Sequence, residues 1–392
     1  MTGPVIMLAA VEPSADAIGA ELLKELKAKV PDATFVGCGG PKMAAEGFDG
    51  AFDISAFAVM GFTDVARVLP AAWARSRDLA RICAEQSVDV AVFIDGWSFS
   101  RLAAKRIRKR APATKIVKYA APQVWASRPQ RTEFVRHNFD AVLTLLPFEP
   151  PYFEEVGVPA TFVGNPNFEQ VAKTPRSGPA FRARHNLGAA PLLMVLPGSR
   201  KTEVSRLLPS FGDTVTNVSR QINGLKVVIA AAPGMEPLLD QELAAWPIQP
   251  LVIPSSERFD AFDAADVALA ASGTVTTELA MTATPMIVAY RVDALTAYWA
   301  RKVLVTPFVS IINVAANEMV IPERIQEDCT PEQLTADIVR LFTDEEARRR
   351  QLSTFRRVLP ELIGAGQSSH RAASEIVRLL QGEDRVDLDS RA

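Results

Sequence analysis

Residues 88–110 read VDVAVFIDGWSFSRLAAKRIRKR. The first seven positions are apolar apart from Asp89 and lack the polar–apolar alternation of a half-exposed strand, so we predict a strand buried on both faces. Asp95 and Gly96 follow as a turn, and a helix is predicted over residues 101–110. A buried strand, a turn and a helix in this order form the repeating unit of a parallel α/β sheet.

The same unit recurs on both sides of this stretch. The first half predicts further strands at residues 5–10, 34–37, 115–119 and 141–146, with helices at 17–29, 79–85 and 129–137. The second half predicts strands at residues 192–196, 226–231, 250–253, 267–270 and 286–290, with helices that begin at 202 and 274. We therefore predict an α/β fold with two Rossmann-like doubly wound domains that face a cleft.

The length of 392 residues exceeds one ordinary core, and two domains are expected. Apolar periodicity weakens after the segment FVGNP, which ends at Pro166. We place an N-terminal domain at residues 1–168, a linker at 169–190 and a C-terminal domain at 191–355. The last helices, within residues 356–382, are predicted to cross back and pack on the N-terminal domain.

Composition narrows the class of protein. The formal net charge of −2 gives no overall field that would attract nucleic acid. The three cysteines lie far apart without a CxxC spacing, which indicates a reducing cytoplasm and neither a disulfide framework nor a zinc site. The first apolar run lacks a basic flank and ends at Glu12, so we predict a strand there and not a signal peptide.

Two stretches of the second half are typical of phosphate-binding turns. LPGSRKTEV, at residues 196–204, and ASGTVTTELA, at residues 271–280, each place a small polar turn between a strand and a helix. Backbone N–H groups at a helix start attract anions, and an arginine adds a charged fork, although Ser and Thr are also ordinary helix caps. Neither stretch is a Walker loop, and GxGxxG is missing from the sequence. The predicted phosphate ligands are Ser199, Arg200, Ser272, Gly273 and Thr274.

Three carboxylates are candidates for further roles. Glu278, in the first turn of the second helix, could accept ribose hydroxyls or simply stabilise the helix dipole. Asp95, at the carboxyl end of a buried strand, could accept a proton from an attacking hydroxyl or cap the next helix. Glu12 follows the first strand and, with Ser14 and Asp16, could simply build the turn into the first helix.

The histidines and one apolar segment carry weaker signals. His137, His185 and His370 adjoin no Ser or Cys in a nucleophile setting, which argues against a hydrolytic triad or a metal-dependent hydrolase. Residues 56–74 are rich in apolar side chains and are followed by arginines. They could form a pocket or membrane-surface patch for acyl chains, or one buried helix face.

Together these motifs resemble the lipid-A-disaccharide synthase family of inverting glycosyltransferases with the two-domain GT-B fold. The likeness extends from EPSAD, at residues 12–16, to QED, at residues 326–328. The specific segments are GCGGPKMAAEGF, AVMGFTDV, PQVWASRPQR, LPFEPPYFEEVGVPATFVGNP, LPGSRKTEV, ASGTVTTELA and TPMIVAYRVDALTAYWARKV.

The resemblance implies substrates and roles. The donor would be UDP-2,3-diacylglucosamine, held by the C-terminal domain, and the acceptor 2,3-diacylglucosamine 1-phosphate (lipid X), held by the N-terminal domain. Asp95 and Arg200 would be catalytic, while Glu278 and Asn313 would contact the nucleotide sugar. The products would be the β-1,6 lipid A disaccharide 1-phosphate and UDP. No metal or other cofactor is expected, and the resemblance implies a cytoplasmic peripheral protein at the inner face of the inner membrane. The oligomeric state stays open, with a homodimer as one alternative.

The sequence also departs from the family pattern. Residues 11–16 lack both glycines of the family's first loop, and residues 96–100 lack its second acid and amide. Three alternatives therefore stay open: transfer to a different lipid acceptor, a UDP-sugar 2-epimerase on the same scaffold, and a non-catalytic relative that only binds. The small number of histidines argues against the epimerase.

Overall fold

The computed structural model describes residues 3–54 and 65–382, which form two compact α/β units. Unit 1 comprises Met1–Pro166 together with Gly364–Ala392, and unit 2 comprises Asn167–Ile363. Each unit has a six-stranded sheet in which every pair of neighbouring strands is parallel. The predicted fold class of two Rossmann-like, doubly wound α/β domains is confirmed.

Unit 1 has the strand order β2-β1-β3-β4-β5-β6. All five residues of its central strand β3 are buried, as the run of apolar residues without alternation predicted. Its elements before the crossover are β1 Val5–Ala10, α1 Pro13–Lys29, β2 Thr34–Cys38, α2 Pro41–Ala45, α3 Val65–Glu85, β3 Val90–Ile94, α4 Trp97–Arg110, β4 Lys115–Tyr119, α5 Arg131–Asn138, β5 Ala141–Thr144, α6 Pro150–Glu154 and β6 Ala160–Phe162.

Unit 2 has the strand order β12-β11-β10-β7-β8-β9. Its strands β7 and β10 are completely buried and lie side by side at the centre of the sheet. Its elements are α7 Pro166–Lys173, α8 Gly178–Arg184, β7 Leu192–Leu196, α9 Lys201–Ser219, β8 Lys226–Ala231, α10 Glu236–Leu243, β9 Leu251–Pro254, α11 Arg258–Ala264, β10 Val267–Ala271, α12 Val275–Met281, β11 Met286–Tyr290, α13 Ala294–Val303, α14 Ile311–Ala316, β12 Glu323–Ile325, α15 Pro331–Thr343 and α16 Glu345–Ile363.

The last helix, α17 (Ser368–Gln381), returns to unit 1 as predicted. Its Ala372, Ala373 and Ile376 are fully buried in the same apolar cluster as Leu22 and Leu26 of α1. The crossover begins later in the chain than residue 356, because α16 runs on to Ile363 within unit 2. Buried Phe355, Val358 and Leu362 explain why that helix stays there.

The segment predicted as a linker, residues 169–190, is instead a folded part of unit 2. Phe181 on α8 is fully buried, and Arg182 donates from Nε and Nη2 to the Ala264 carbonyl at 3.0 and 2.7 Å. The Ser177 hydroxyl caps α8 by accepting from the Ala180 amide at 3.3 Å. The polar residues that suggested a linker therefore form the start of a short helix.

Each sheet contains one point at which the strand order reverses. In unit 1 the chain adds β2 on one side of β1 and β3 on the other; in unit 2 it adds β8 on one side of β7 and β10 on the other. Loops that leave such a pair of strands diverge, and the crevice at the carboxyl ends of the strands is where ligands bind in doubly wound folds. We therefore expect ligands at the loops that follow β1, β3, β7 and β10.

Two further observations bear on membrane contact. In the part of the chain that the structure describes, no helix combines the length and the apolarity needed to cross a bilayer. The segment predicted as an acyl-chain pocket or membrane patch spans residues 56–74, of which residues 56–64 lie outside the described residues. Residues 65–74 belong to α3.

Candidate active site

Asp95 lies at the reversal point of unit 1, directly after β3. Its backbone has a φ of +49°, and Gly96 follows with a φ of +51°, so two consecutive residues adopt the left-handed conformation. A Cβ on residue 96 would approach Val11 Cγ2 at 3.0 Å, which adds a packing reason for glycine there. The Asp95 amide donates to the Tyr119 carbonyl at 2.9 Å. The turn thus ties Asp95 to the end of the neighbouring strand β4.

The side chain of Asp95 is half-buried and is not a helix cap. The N-cap of α4 is Gly96, and it receives no side-chain cap bond. Within the described residues, the Asp95 carboxylate accepts no hydrogen bond and forms no ion pair with a side chain at 4.0 Å or less. The capping alternative is therefore unsupported, and the carboxylate oxygens are available to a ligand.

The cation beside the Asp95 turn is Lys118, which was not among the predicted site residues. It is 1% exposed, and its ammonium donates to the carbonyls of Asp95 at 2.7 Å, Tyr119 at 3.0 Å and Phe93 at 3.4 Å. Burial lowers the pKa of Lys118 to about 8, opposed by the charges of Asp95 and Glu12. A lysine inside the otherwise buried strand KIVKY was the signal that could have revealed it.

Glu12 completes the charged group at this edge of unit 1. Burial raises the pKa of Glu12, the neighbouring Asp95 charge raises it further, and Lys118 lowers it. Asp16, the other acid of the first loop, is buried and instead accepts from the amides of Gly40, Lys42 and Met43 at 2.8–3.1 Å. Asp16 therefore holds the start of α2.

A buried glutamate joins two of the motifs that carried the resemblance. Glu149 is 3% exposed and accepts from Trp125 Nε1 and from the amides of Leu145 and Leu146, each at 3.1 Å. Burial raises its pKa to about 7, against the lowering effect of these three hydrogen bonds. Through these hydrogen bonds, Glu149 connects the loop that follows β4 to the loop that follows β5.

The first predicted phosphate turn lies at the reversal point of unit 2, directly after β7. Gly198 has a φ of +110°, and a Cβ there would approach Glu203 Oε2 at 3.0 Å, so glycine is required. Ser199 is exposed, and Arg200 is the extended N-cap of α9. The Arg200 side chain is 74% exposed and donates to Glu203 Oε1 at 2.9 Å. A cation that is both exposed and oriented is suited to meet an anion.

Glu203 orients this turn, a role that the sequence analysis did not assign. Its side chain is 14% exposed and also accepts from the Tyr290 hydroxyl at 3.4 Å. Burial and the Glu203 charge raise the pKa of Tyr290, which keeps the phenol protonated as a donor. The carboxylate thus links the loop after β7 to the end of β11.

The second predicted turn, Ser272, Gly273 and Thr274, follows β10 beside the first. The Ser272 amide is bonded to the Ala289 carbonyl at 3.2 Å. Gly273 and Thr274 are exposed, and their amides donate to no acceptor in residues 3–54 or 65–382. A Cβ at residue 273 would meet no atom within 4 Å. The two amides are free donors at the start of α12, as an anion site requires.

Glu278 has a partner within its own unit. Its Oε2 accepts from Arg258 Nε at 3.2 Å, and its side chain is 19% exposed. The Arg258 guanidinium also lies over the Phe259 ring, 4.2 Å from its centroid. One carboxylate oxygen is committed to this ion pair, so ribose binding by the other remains a prediction.

The structure corrects the prediction that Asn313 contacts the nucleotide sugar. Asn313 is fully buried; its Nδ2 donates to Ile321 O and Glu323 Oε1, each at 2.8 Å. Its Oδ1 accepts from the amides of Val320 at 3.0 Å and Ile321 at 2.9 Å. Because all four of its hydrogen-bonding positions are occupied, Asn313 shapes the loop between α14 and β12 and has no group left for a ligand.

Within the described residues, neither a catalytic histidine nor a metal-binding cluster is found. His185 contacts the Phe181 ring and Glu257, and His370 pairs with Glu25 at 2.8 Å. Across residues 3–54 and 65–382, no group of three His, Cys, Asp or Glu side chains could hold a metal ion. The expectation of a reaction without metal stays a prediction.

Comparison with known proteins agrees with this geometry. The family model described as "Lipid-A-disaccharide synthetase" matches residues 6–377. The lipid-A-disaccharide synthase of Nitrobacter hamburgensis is 39% identical over 380 residues, which cover 96% of this chain and 95% of the relative. That of Rhodospirillum centenum is 35% identical, with 96% and 94% covered.

The chain belongs to the lipid-A-disaccharide synthase family. The predicted family and enzyme class are thereby confirmed: members of the family are glycosyltransferases of lipid A biosynthesis. The non-catalytic and epimerase alternatives lose their support, since relatives at 35–39% identity over more than nine-tenths of the chain carry the synthase name.

Solved structures of lower identity show the fold. The Staphylococcus aureus MnaA–UDP co-structure matches with a TM-score of 0.67 at 12% identity, covering 98% of this chain and all of that one. A UDP-N-acetylglucosamine 2-epimerase from Listeria monocytogenes matches with a TM-score of 0.66 at 12% identity, with 99% of each chain covered. The glycotransferase of kitacinnamycin matches with a TM-score of 0.56 at 18% identity, covering 97% of this chain and all of that one. The family shares its GT-B fold with these enzymes.

Proposed function

We propose that this family member condenses UDP-2,3-diacylglucosamine with 2,3-diacylglucosamine 1-phosphate. The products are the β-1,6-linked disaccharide 1-phosphate and UDP. This assignment rests on the Asp95 carboxylate. It lies at the reversal point of unit 1 and has no hydrogen-bonding partner among the described residues. A half-buried carboxylate in such a position is suited to accept a proton.

In the proposed reaction the acceptor's 6-hydroxyl oxygen attacks the anomeric carbon of the donor. The new carbon–oxygen bond forms while the bond from the anomeric carbon to the diphosphate breaks, with inversion of configuration. Asp95 takes the hydroxyl proton, and the bonding electrons leave with UDP.

The leaving diphosphate gains one unit of negative charge as the bond breaks, and unit 2 offers hydrogen-bond donors for it. Arg200 supplies a charged fork, and the amides of Gly273 and Thr274 supply neutral donors that are already oriented. We assign Ser199 and Ser272 to the same phosphate contacts and Glu278 to the ribose. No metal is needed for this stabilisation, because the arginine and the amides perform the same electrostatic task.

A basic groove on unit 1 supports the proposal that the enzyme acts at a membrane surface. Trp73 of α3 is 50% exposed, and the guanidinium groups of Arg77 and Arg106 lie 4.9 and 5.0 Å from its ring centroid. Leu69, one turn earlier, is 56% exposed. The groove between α3 and α4 measures about 750 Å³ and is also lined by Asp78, Arg81, Lys109 and Arg110. Exposed apolar and aromatic side chains among cations are typical of a surface that meets anionic lipid.

We therefore place the enzyme at the inner face of the inner membrane, as a peripheral protein that receives lipid substrates there. A homodimer is part of the same proposal and is tested by the mass of the purified protein in solution.

The deciding experiment incubates the purified protein with labelled UDP-2,3-diacylglucosamine, with and without 2,3-diacylglucosamine 1-phosphate. We expect a labelled disaccharide 1-phosphate and UDP in equal amounts only when both substrates are present. Product formed with another lipid and not with this acceptor would assign a different acceptor. UDP binding without transfer to any lipid would contradict the proposal.

A further inference from the structure

Lys118 is a buried ammonium group whose place in the sheet calls for an explanation. It lies on β4, between β3 and β5, with 1% of its surface exposed. Burying a charge is costly unless it is fully bonded, and a lysine at this position could be replaced by an apolar residue if only packing were needed. Its partners indicate what the charge does.

All three partners of the ammonium are carbonyls at the carboxyl ends of β3 and β4. The bonds to Asp95 O at 2.7 Å and Tyr119 O at 3.0 Å are the shorter ones. The Tyr119 carbonyl is also the acceptor of the Asp95 amide, and the Asp95 carbonyl also accepts from Ser100 Oγ at 2.8 Å. The ammonium thus closes a ring of hydrogen bonds around the backbone of Asp95.

That ring holds a conformation which aspartate does not favour. Asp95 has a φ of +49°, a left-handed geometry that is uncommon for residues other than glycine and is kept only where surrounding contacts impose it. The direction of the Asp95 carboxylate depends on this turn. Contacts that fix the turn therefore fix the direction of the side chain.

The charge of the ammonium strengthens these contacts. The charges of Asp95 and Glu12 oppose the lowering of the Lys118 pKa by burial. A charged donor forms stronger hydrogen bonds to carbonyl oxygens than a neutral donor does, so the protonated lysine holds the turn more firmly.

We propose that Lys118 is a positioning residue for glycosyl transfer: it holds the left-handed Asp95 turn and thereby fixes the direction of the carboxylate that accepts the proton. This inference rests on the proposed function of Asp95. It adds a residue of the sheet interior to the machinery, one that acts through Asp95 and contacts no substrate.

Three variants test the proposal. Lys118→Met keeps the length of the side chain and removes its charge and its donors, whereas Lys118→Gln keeps a neutral donor. Lys115→Met makes the same chemical change on the same strand at an exposed position. Each variant is compared with the wild type by kcat and by KM for the acceptor, measured separately, and by UDP affinity.

We expect Lys118→Met to lower kcat roughly 10- to 100-fold while the KM for the acceptor changes little, since a misdirected base slows the chemical step and leaves substrate binding intact. Lys118→Gln, which keeps a donor, should lose less of kcat. Lys115→Met should match the wild type, and UDP affinity should be unchanged in all three. A folded Lys118→Met enzyme with the wild-type kcat would overturn the positioning role.

Amide hydrogen exchange separates this proposal from the proposed function, because it needs no turnover. We expect residues 94–100 to exchange at least about tenfold faster in Lys118→Met than in the wild type, while Lys115→Met leaves them unchanged. Equal exchange in Lys118→Met and wild type would overturn the role in holding the turn. Faster exchange in a protein whose wild type transfers no sugar would refute the proposed function and leave the positioning role intact.

Discussion

At the scale of single residues, Asp95 has an accessible carboxylate and a left-handed backbone conformation that the sequence did not predict. The run of buried residues before it predicted that an acid would stand at the end of a strand. The sequence could not predict that its φ would be positive or that a lysine one residue before the end of strand β4 would bond to its carbonyl. Those features arise from contacts between β3 and β4.

Replacement of Asp95 by asparagine tests the proton acceptor. Because an amide cannot take up a proton at neutral pH, we expect kcat of Asp95→Asn to fall by about 10³-fold or more. The carboxylate accepts no hydrogen bond within the described residues, so thermal stability should change little. Measurements of turnover, UDP binding and melting temperature check this, with the exposed Asp49→Asn as control. Near-normal turnover of Asp95→Asn would remove Asp95 from its role.

Replacement of Arg200 by alanine tests the diphosphate contact. Hydrogen bonds to charged groups contribute about 1.5–3 kcal/mol, so we expect UDP affinity to fall by roughly 10- to 100-fold and kcat to fall as well. Titration calorimetry with UDP measures the first effect. Arg220→Ala, an exposed change at the other end of α9, provides the control and should bind UDP normally. Equal affinity in Arg200→Ala and wild type would contradict the assignment.

Asn313 shows where reasoning from motifs fails at this scale. The resemblance placed it at the nucleotide, but its amide is consumed by Ile321, Val320 and Glu323 within its own loop. A motif records that a residue type recurs at a position, and it cannot distinguish a side chain that binds a ligand from one that shapes the loop beside the ligand. Burial and hydrogen bonding make that distinction.

At the scale of elements, the sequence predicted long buried strands well and short ones poorly. Strands β1, β4, β7, β8 and β11 have the predicted bounds, because their five or six residues are mostly apolar and lack a polar–apolar alternation. The three-residue strands β6 (Ala160–Phe162) and β12 (Glu323–Ile325) were missed. Each is an edge strand whose pairing is fixed by the neighbouring strand and not by its own composition.

The groove between α3 and α4 yields a prediction about elements. Arg77 and Arg106 lie over one tryptophan, and burial together with the charge of Arg77 lowers the pKa of Arg106. An anion between them would relieve that repulsion. We expect the double variant Arg77→Gln/Arg106→Gln to bind vesicles of phosphatidylcholine with phosphatidylglycerol about tenfold or more weakly than the wild type, since each surface cation contributes about 1 kcal/mol.

Co-sedimentation with vesicles measures this effect, and vesicles of phosphatidylcholine alone serve as the reference. A matched control, Arg356→Gln/Arg357→Gln, removes two exposed cations from α16. That variant should bind anionic vesicles like the wild type. Equal loss in both variants would show that total charge, and not this groove, governs binding.

At the scale of the whole molecule, unit 1 is completed by the end of the chain. Ile376 of α17 is fully buried against α1, and removing a buried isoleucine side chain to alanine typically costs about 2–5 kcal/mol. We expect Ile376→Ala to accelerate amide exchange of β1 and β3 while β7 and β10 keep their protection. UDP binding should persist. Exchange mass spectrometry checks this, and uniform loss of protection in both units would contradict it.

The return of α17 sets an order of events during synthesis. Unit 2 is continuous between residues 167 and 363, so a ribosome delivers every one of its strands before it delivers the helix that covers α1. The apolar face of α1 stays uncovered until α17 has been translated. Unit 1 is therefore started before unit 2 and completed after it, and its uncovered surface is what a chaperone would have to protect.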